Sequence, residues 1–263
     1  MSEDQKEFSY LITQGYEDGG GSPGKQGWTT VATSEQFPES NVKGYYGVLY
    51  EKKLADGTKK YLIVHRGTDG ITDWDDNLQL FFGNLPDQLI PALKFVQKAS
   101  GIAGVGAGSI IEVGHSLGGY LAMLIAVALN SEQSFAEDAP GIQEVLSKLE
   151  NFMNIYTGNP NYVPNGVWVT AAENGAYLTK ITEINSDGDI ISNVGTHIGS
   201  QSEINIDIPL SGYLGVIFGG PYISVKLAYW KILQHSSELL YKAIANEPLT
   251  QQEFHEMLKD TPL

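Results

Sequence analysis

The chain has 263 residues, 42% apolar and 18% charged, a folded globular composition long enough for one large domain. Its 16 Lys and Arg stand against 31 Asp and Glu, a formal charge of −15 that repels phosphate backbones and argues against nucleic acid as a partner. The absence of cysteine excludes disulfide frameworks, thiolate metal sites and cysteine nucleophiles.

The acidic, polar start Met1-Ser2-Glu3-Asp4-Gln5-Lys6-Glu7 is the opposite of a signal peptide, so the expected location is cytoplasmic or reached by a non-classical export route. The glycine-rich stretch 15–27 lacks P-loop and EF-hand spacing and reads as a surface loop. Residues 44–50 and 60–65 predict two antiparallel strands around the Asp56-Gly57 turn, and 85–100 an amphipathic helix. A short buried strand at 109–113 then leads into an apolar helix at 120–130. The acidic piece 131–149 predicts an inserted helix over the sheet. Residues 152–156 and 178–184 predict further strands, and 225–245 a closing helix. The uncharged stretch 208–225 is cut repeatedly by Pro and Gly, so it predicts buried strand and loop or a lipid-contacting surface rather than a transmembrane span. This alternation predicts an α/β fold in a single domain over 1–263, a mostly parallel central sheet with helices on both faces.

The sharpest local signal is GHSLGG at 114–119, flanked by a β-branched strand and a small-residue helix. A nucleophile elbow needs that context, because the serine must sit on a strained strand-to-helix turn where only glycines fit its neighbours. Ser116 is therefore the candidate nucleophile, with backbone N–H groups of the following helix facing developing negative charge. A serine needs a histidine base oriented by a carboxylate. Of five histidines, His115 lies inside the elbow, His65 precedes Arg66, and His255 lies in the polar tail. His197 and His235 remain. His197 follows Asp189 by only eight residues and reads as buried and structural, whereas His235 can be delivered by a late loop. For the acid, Asp187-Gly188 suits a turn and leaves Asp189 free to orient the base, with Asp187 the alternative.

VHRGT at 64–68, Trp74-Asp75-Asp76, GHSLGG, Asp189-Ile190-Ile191 and a late His235 together resemble the class 3 lipases. That family has the α/β-hydrolase fold and holds fungal-type triacylglycerol lipases with related bacterial lipases and phospholipases A1. The similarity spans about residues 42 to 240. It implies Ser116, Asp189 and His235 as the triad, and Thr68 with the backbone N–H of Leu117 as the oxyanion hole. It also implies a structural role for His197, in His197-Ile198-Gly199-Ser200. Two positions depart from the family pattern. His65 stands where an aromatic is common, and Ser192 where a proline usually follows the acid.

The segment after Thr68 occupies the family's lid position, and Ile71, Trp74 and Leu78 form one apolar face there. An ordinary surface helix would show the same stripe. The leading expectation is a serine ester hydrolase acting on lipid acyl esters at a lipid–water interface, as a lipase or phospholipase A1. The alternatives are a soluble short-chain carboxylesterase and a non-catalytic lipid- or partner-binding relative. The triad chemistry requires no cofactor and no metal.

Overall fold

One seven-stranded sheet organises the protein in a computed structural model that describes residues 2–67, 83–187, 189, 191–204 and 236–245. The strands are β1 (Trp28–Thr33), β2 (Gly47–Lys53), β3 (Lys59–His65), β4 (Ile111–His115), β5 (Ser134–Glu137), β6 (Ile181–Ser186) and β7 (Ser200–Ile204). They lie side by side in chain order, β1 to β3 antiparallel and β3 to β7 parallel. The helices are α1 (Glu3–Gly15), α2 (Leu89–Ala103), α3 (Leu117–Leu129), α4 (Leu146–Tyr156), α5 (Val167–Glu173) and α6 (Ser237–Ala245). This is the α/β architecture that the sequence predicts.

The sequential strand order decides where the helices go. Right-handed crossovers between parallel neighbours taken in order put every connecting helix on the same face. Accordingly α2, α3 and α4 pack on one face, where Leu49 and Ile63 meet Phe95, Val96, Leu121, Leu124 and Leu149. The alternate residues Val48, Tyr50, Leu62 and Val64 point to the opposite face, which α1 and α6 cover with Phe8, Leu11, Ile12, Leu240 and Ile244. Each fully buried side chain of α1, such as Phe8, Leu11 or Ile12, contributes about 1.5–3 kcal/mol. Helix α3 is buried on nearly every side, which accounts for its lack of a polar face.

The β2–β3 hairpin turns as predicted. Gly57 takes φ 88°, and Asp56 Oδ1 accepts the Thr58 N–H at 2.9 Å. Two expectations fail. Residues 131–149 are not one inserted helix: they hold a strand of the sheet, β5, then a 3-10 turn (Gln143–Val145) and the first residues of α4. The four residues of β5 pair on both sides, Phe135 with Val113 and with Thr182, and the acidic residue Glu137 is fully buried. Residues 152–156 are the last turn and a half of α4, not a strand, because Leu146, Leu149 and Met153 recur at helical spacing on the buried side.

Helix α1 was not foreseen, although Ser2 and Gln5 form a capping box at its start. Strands β1 and β7 and helix α5 were not foreseen either. The stretch 15–27 is a pair of 3-10 turns, and the Gly20 carbonyl accepts the Tyr50 hydroxyl at 3.0 Å. No helix among the described residues is long and apolar enough to cross a membrane. The stretch 208–225 lies outside the described residues, as does the start of the predicted closing helix.

Candidate functional site

Parallel strands β3 to β6 end together at their carboxyl edge, where open α/β sheets bind ligands. The register carries His65 opposite Gly114, His115 opposite Glu137, and Glu137 opposite Ile184. Every candidate residue within the described part of the chain leaves one of these strand ends.

Ser116 joins β4 to α3 at φ 58° and ψ −127°, a conformation that costs a non-glycine residue about 1–3 kcal/mol. Its N–H donates to the Glu137 carbonyl at 2.8 Å, and its carbonyl accepts the Tyr120 N–H at 3.0 Å. The main chain is thus held from both sides, and the hydroxyl does not cap the helix that it begins. Glycine is required around it. A Cβ on Gly114 would lie 2.3 Å from the Gly118 carbonyl carbon, and one on Gly118 would lie 2.0 Å from the His65 carbonyl oxygen. Gly67 is also tightly placed, since a Cβ there would lie 2.8 Å from the His115 carbonyl oxygen and 3.4 Å from the Ser116 Cβ. Gly67, just after β3, therefore lies directly against the serine. Leu117 is the first residue of α3, and its N–H belongs to the unpaired first turn of that helix.

Asp189 is fully buried, and its Oδ1 accepts the N–H groups of Ile191 and Ser192, each at 2.8 Å. The Ser192 bond gives the departure from proline a physical meaning, because a proline has no N–H to give. Asn193 donates its side-chain amide to the Asp189 carbonyl. Asp187 differs in kind. Its side chain is exposed, while its N–H pairs with the Ile204 carbonyl at 2.8 Å.

Two further carboxyl groups at the β5 end escaped the sequence reading. Asp138 sits at φ 44°, and its oxygens accept the Ser186 N–H and hydroxyl, each at 2.6 Å. Burial, and then the neighbouring Asp189, push its pKa well above the carboxylate range. Glu137 is buried on the α1 side, where neither oxygen has a partner at hydrogen-bond geometry among the described residues. Burial pushes its pKa up to about 8, countered only by the Ser9 hydroxyl. Both fall within the acidic piece 131–149, which predicts an inserted helix, so the sequence reading put neither at a strand end.

His197 has both ring nitrogens engaged. Nδ1 meets the Glu183 carboxylate, and Nε2 lies 2.7 Å from the Ser192 carbonyl. Burial disfavours its protonated form, but Glu183 and the Ser192 carbonyl outweigh that and hold its pKa above the ordinary imidazole value. Glu183 also accepts the Gly199 N–H at 3.0 Å, so the imidazole clamps β6 to the loop that carries Asp189. The other departure, His65, is fully buried. Its Nδ1 lies 2.9 Å from the Tyr45 hydroxyl and its Nε2 2.7 Å from Glu112 Oε2. Burial raises the Glu112 pKa, and His65 opposes that rise. Thr68, the lid candidates Ile71, Trp74 and Leu78, and the base candidate His235 lie outside the described residues. Among the described residues no group of three or more acidic or histidine side chains could hold a metal ion.

No curated protein shows significant similarity to the chain. Among solved structures, a deletion mutant of the Rhizomucor miehei lipase propeptide complex is similar at 12% identity, over 78% of this chain and 68% of that chain, with a TM-score of 0.42. The family model of the Tle-like phospholipase domain matches residues 13–148. That stretch holds Gly67, the elbow and the acidic pair Glu137-Asp138 at the end of β5, and it ends before Asp189. Because the match runs from the last turn of α1 into α4, over more than half of the residues, the chain belongs to the phospholipase-like family defined by the Tle-like phospholipase domain.

Proposed function

We propose that the protein is a serine hydrolase of lipid acyl esters, working through an acyl-enzyme on Ser116 with Asp189 and His235 completing the triad. The observation that carries this reading is the Ser116 backbone, held at positive φ between β4 and α3 with Gly67 packed against its Cβ. Positive φ at the residue that turns strand β4 into helix α3, on the carboxyl edge of a parallel sheet, is the backbone geometry of a nucleophile elbow. Membership of the phospholipase-like family supports a lipid ester as substrate, and the likeness of VHRGT and GHSLGG to class 3 lipases supports an acyl-ester mechanism.

In this reading His235 takes the Ser116 proton as the oxygen attacks the ester carbonyl. The oxyanion is stabilised by the Leu117 N–H and by Thr68, and the alcohol leaves with the proton that His235 returns. Water then repeats the sequence to release the fatty acid. Asp189 orients His235 and stabilises its cation, and the Ile191 and Ser192 N–H groups fix its carboxylate in place. Ile71, Trp74 and Leu78 are proposed as the apolar face of a lid, and a lipid surface would favour the open state. The phospholipase A1 variant of the reading places the cleaved ester at the sn-1 position.

The test is hydrolysis of p-nitrophenyl esters and of phosphatidylcholine by wild type and Ser116→Ala. Wild-type release of fatty acid, with at least a ~1000-fold loss in the variant, is the expected result. Equal turnover by both proteins would remove Ser116 from the chemistry. Phosphatidylcholine labelled in one chain reads the position, and release of the sn-2 chain alone would reject the A1 assignment.

A further inference from the structure

Helix α1 ends beside the elbow. Tyr16 caps it, with its N–H turned back to the Thr13 and Gln14 carbonyls, and its ring lies edge-on to His115 at 6.2 Å between centroids. The Tyr16 hydroxyl accepts the Gly67 N–H at 3.2 Å and stands 3.2 Å from His115 Nδ1. A Cβ on Gly67 would lie 2.8 Å from that same oxygen and 3.4 Å from the Ser116 Cβ. One hydroxyl therefore touches the residue just before Ser116 and the residue just before Thr68.

We propose that Tyr16 is a positioning residue for the hydrolysis, holding the segment after β3 at a fixed distance from the elbow after β4. The proposal rests on the reading of Ser116 as nucleophile. A phenol has one proton and two lone pairs. While the oxygen accepts the Gly67 N–H, it keeps its own proton and a second lone pair to meet His115 Nδ1, so one hydroxyl holds both residues at once. Two consequences follow. The Gly67 N–H is spent on Tyr16, so the donor that this segment offers to the oxyanion comes from the next residue. The two oxyanion donors also arise from separate segments, one after β3 and one at the start of α3, and Tyr16 spans the gap between them. Preorganised donors stabilise an oxyanion only when they sit at hydrogen-bond distance before the reaction begins, so a small drift is read in the chemical step rather than in binding.

The experiment uses the full chain and diethyl p-nitrophenyl phosphate as the probe that labels the nucleophile, with labelled sites mapped and counted before turnover is measured. Tyr16→Phe keeps the ring and its edge contact and removes only the tie. The expected result is labelling at Ser116, a KM for p-nitrophenyl butyrate within about twofold of wild type, and a kcat per labelled site lower by about ten- to a hundredfold. A merely structural role would lower the number of labelled sites and leave the kcat of each one unchanged. His115→Leu attacks the tie from its other end and carries the test if Tyr16→Phe does not fold. The double variant should lose no more than the worse single variant, because both break one link. Unchanged kcat per labelled site in both single variants, or fully additive losses, overturns the role of Tyr16 and leaves the nucleophile standing. Labelling of wild type at another residue overturns the nucleophile itself, and with it the positioning role.

Discussion

The two halves of the candidate site are built on opposite principles. Where β3 and β4 end, position is set by missing side chains: Gly67, Gly114 and Gly118 let three backbones close to contact distance around Ser116. Where β5 and β6 end, position is set by buried acidic groups. Asp138, Asp189 and Glu183 are withdrawn from water and held by N–H groups, a hydroxyl or an imidazole, and Glu137 is buried beside them. Packing of the first kind hardly responds to pH, because no proton takes part in it. The second kind changes with every proton gained or lost. A nucleophile needs unvarying geometry, whereas an acid that steadies a cation needs a controlled charge, so the division suits the proposed chemistry.

The largest expected effect breaks the steric half. Gly118→Ala drives a methyl to 2.0 Å from the His65 carbonyl oxygen, which is backbone and cannot swing away. We expect no folded protein, or a loss of at least about 4 kcal/mol by chemical denaturation. Stability within about 1 kcal/mol of wild type would mean that the elbow is looser than its geometry implies. The charged half is sharpened by two neighbours. Asp189→Asn should lower ester turnover on the order of a thousand- to ten-thousand-fold, since an amide cannot hold the base in its working tautomer. Asp138→Asn should keep activity within about threefold. An asparagine imitates the protonated acid that burial favours there, and it still receives the Ser186 N–H. The reverse ranking would transfer the acid's role from the end of β6 to the end of β5.

The same division explains what the sequence disclosed. The steric half was legible because close backbone approach leaves glycine at fixed spacing, and GHSLGG with an upstream Arg66-Gly67 is a local pattern. The hairpin of β2 and β3 was legible for a similar reason, its Asp56-Gly57 turn. Burial of acidic side chains leaves no such local mark. Glu137 and Asp138 lie in an acidic run that reads as a helix inserted over the sheet, and only pairing of β5 between β4 and β6 draws them inside. Strand β5 was misread for that reason, and α4 because a short window around Phe152 hides its helical period. Tyr16 is 51 residues from Gly67 and 99 from His115, so no window along the chain brings them together.

A smaller effect isolates the buried carboxyl of Glu137. Its pKa of about 8 in the folded protein exceeds the ordinary 4.5, so the native state keeps a proton that the unfolded chain releases. The neutral carboxyl's contribution is complete below the unfolded value and is lost as the pH rises through the folded one. Glu137→Gln removes this linkage, because glutamine stays neutral at every pH. The stability of wild type relative to Glu137→Gln should fall by about 2–4 kcal/mol between about pH 5 and pH 8.5. That lies below the ceiling of about 1.36 kcal/mol for each pH unit separating the folded and unfolded pKa values. Parallel denaturation curves for the two proteins across that range would show that the Glu137 carboxyl is hydrated.

The smallest expected effect is at Ser192, where the chain departs from the proline of class 3 lipases. Ser192→Pro removes the N–H that Asp189 Oδ1 accepts at 2.8 Å and leaves the Ile191 N–H in place. A hydrogen bond to a charged acceptor contributes about 1.5–3 kcal/mol, and the remaining donor absorbs part of that loss. Proline returns about 0.4–1 kcal/mol by restricting the unfolded chain. The net expectation is a loss of about 1 kcal/mol, seen as a fall in Tm of about 2–4 °C. Ester turnover should fall in the same variant, because an acid held by one N–H fewer is less firmly aimed. A rise in Tm with unchanged turnover would show that the Ser192 N–H contributes nothing. The hold on Asp189 would then rest on the Ile191 N–H and on its packing beside Asp138.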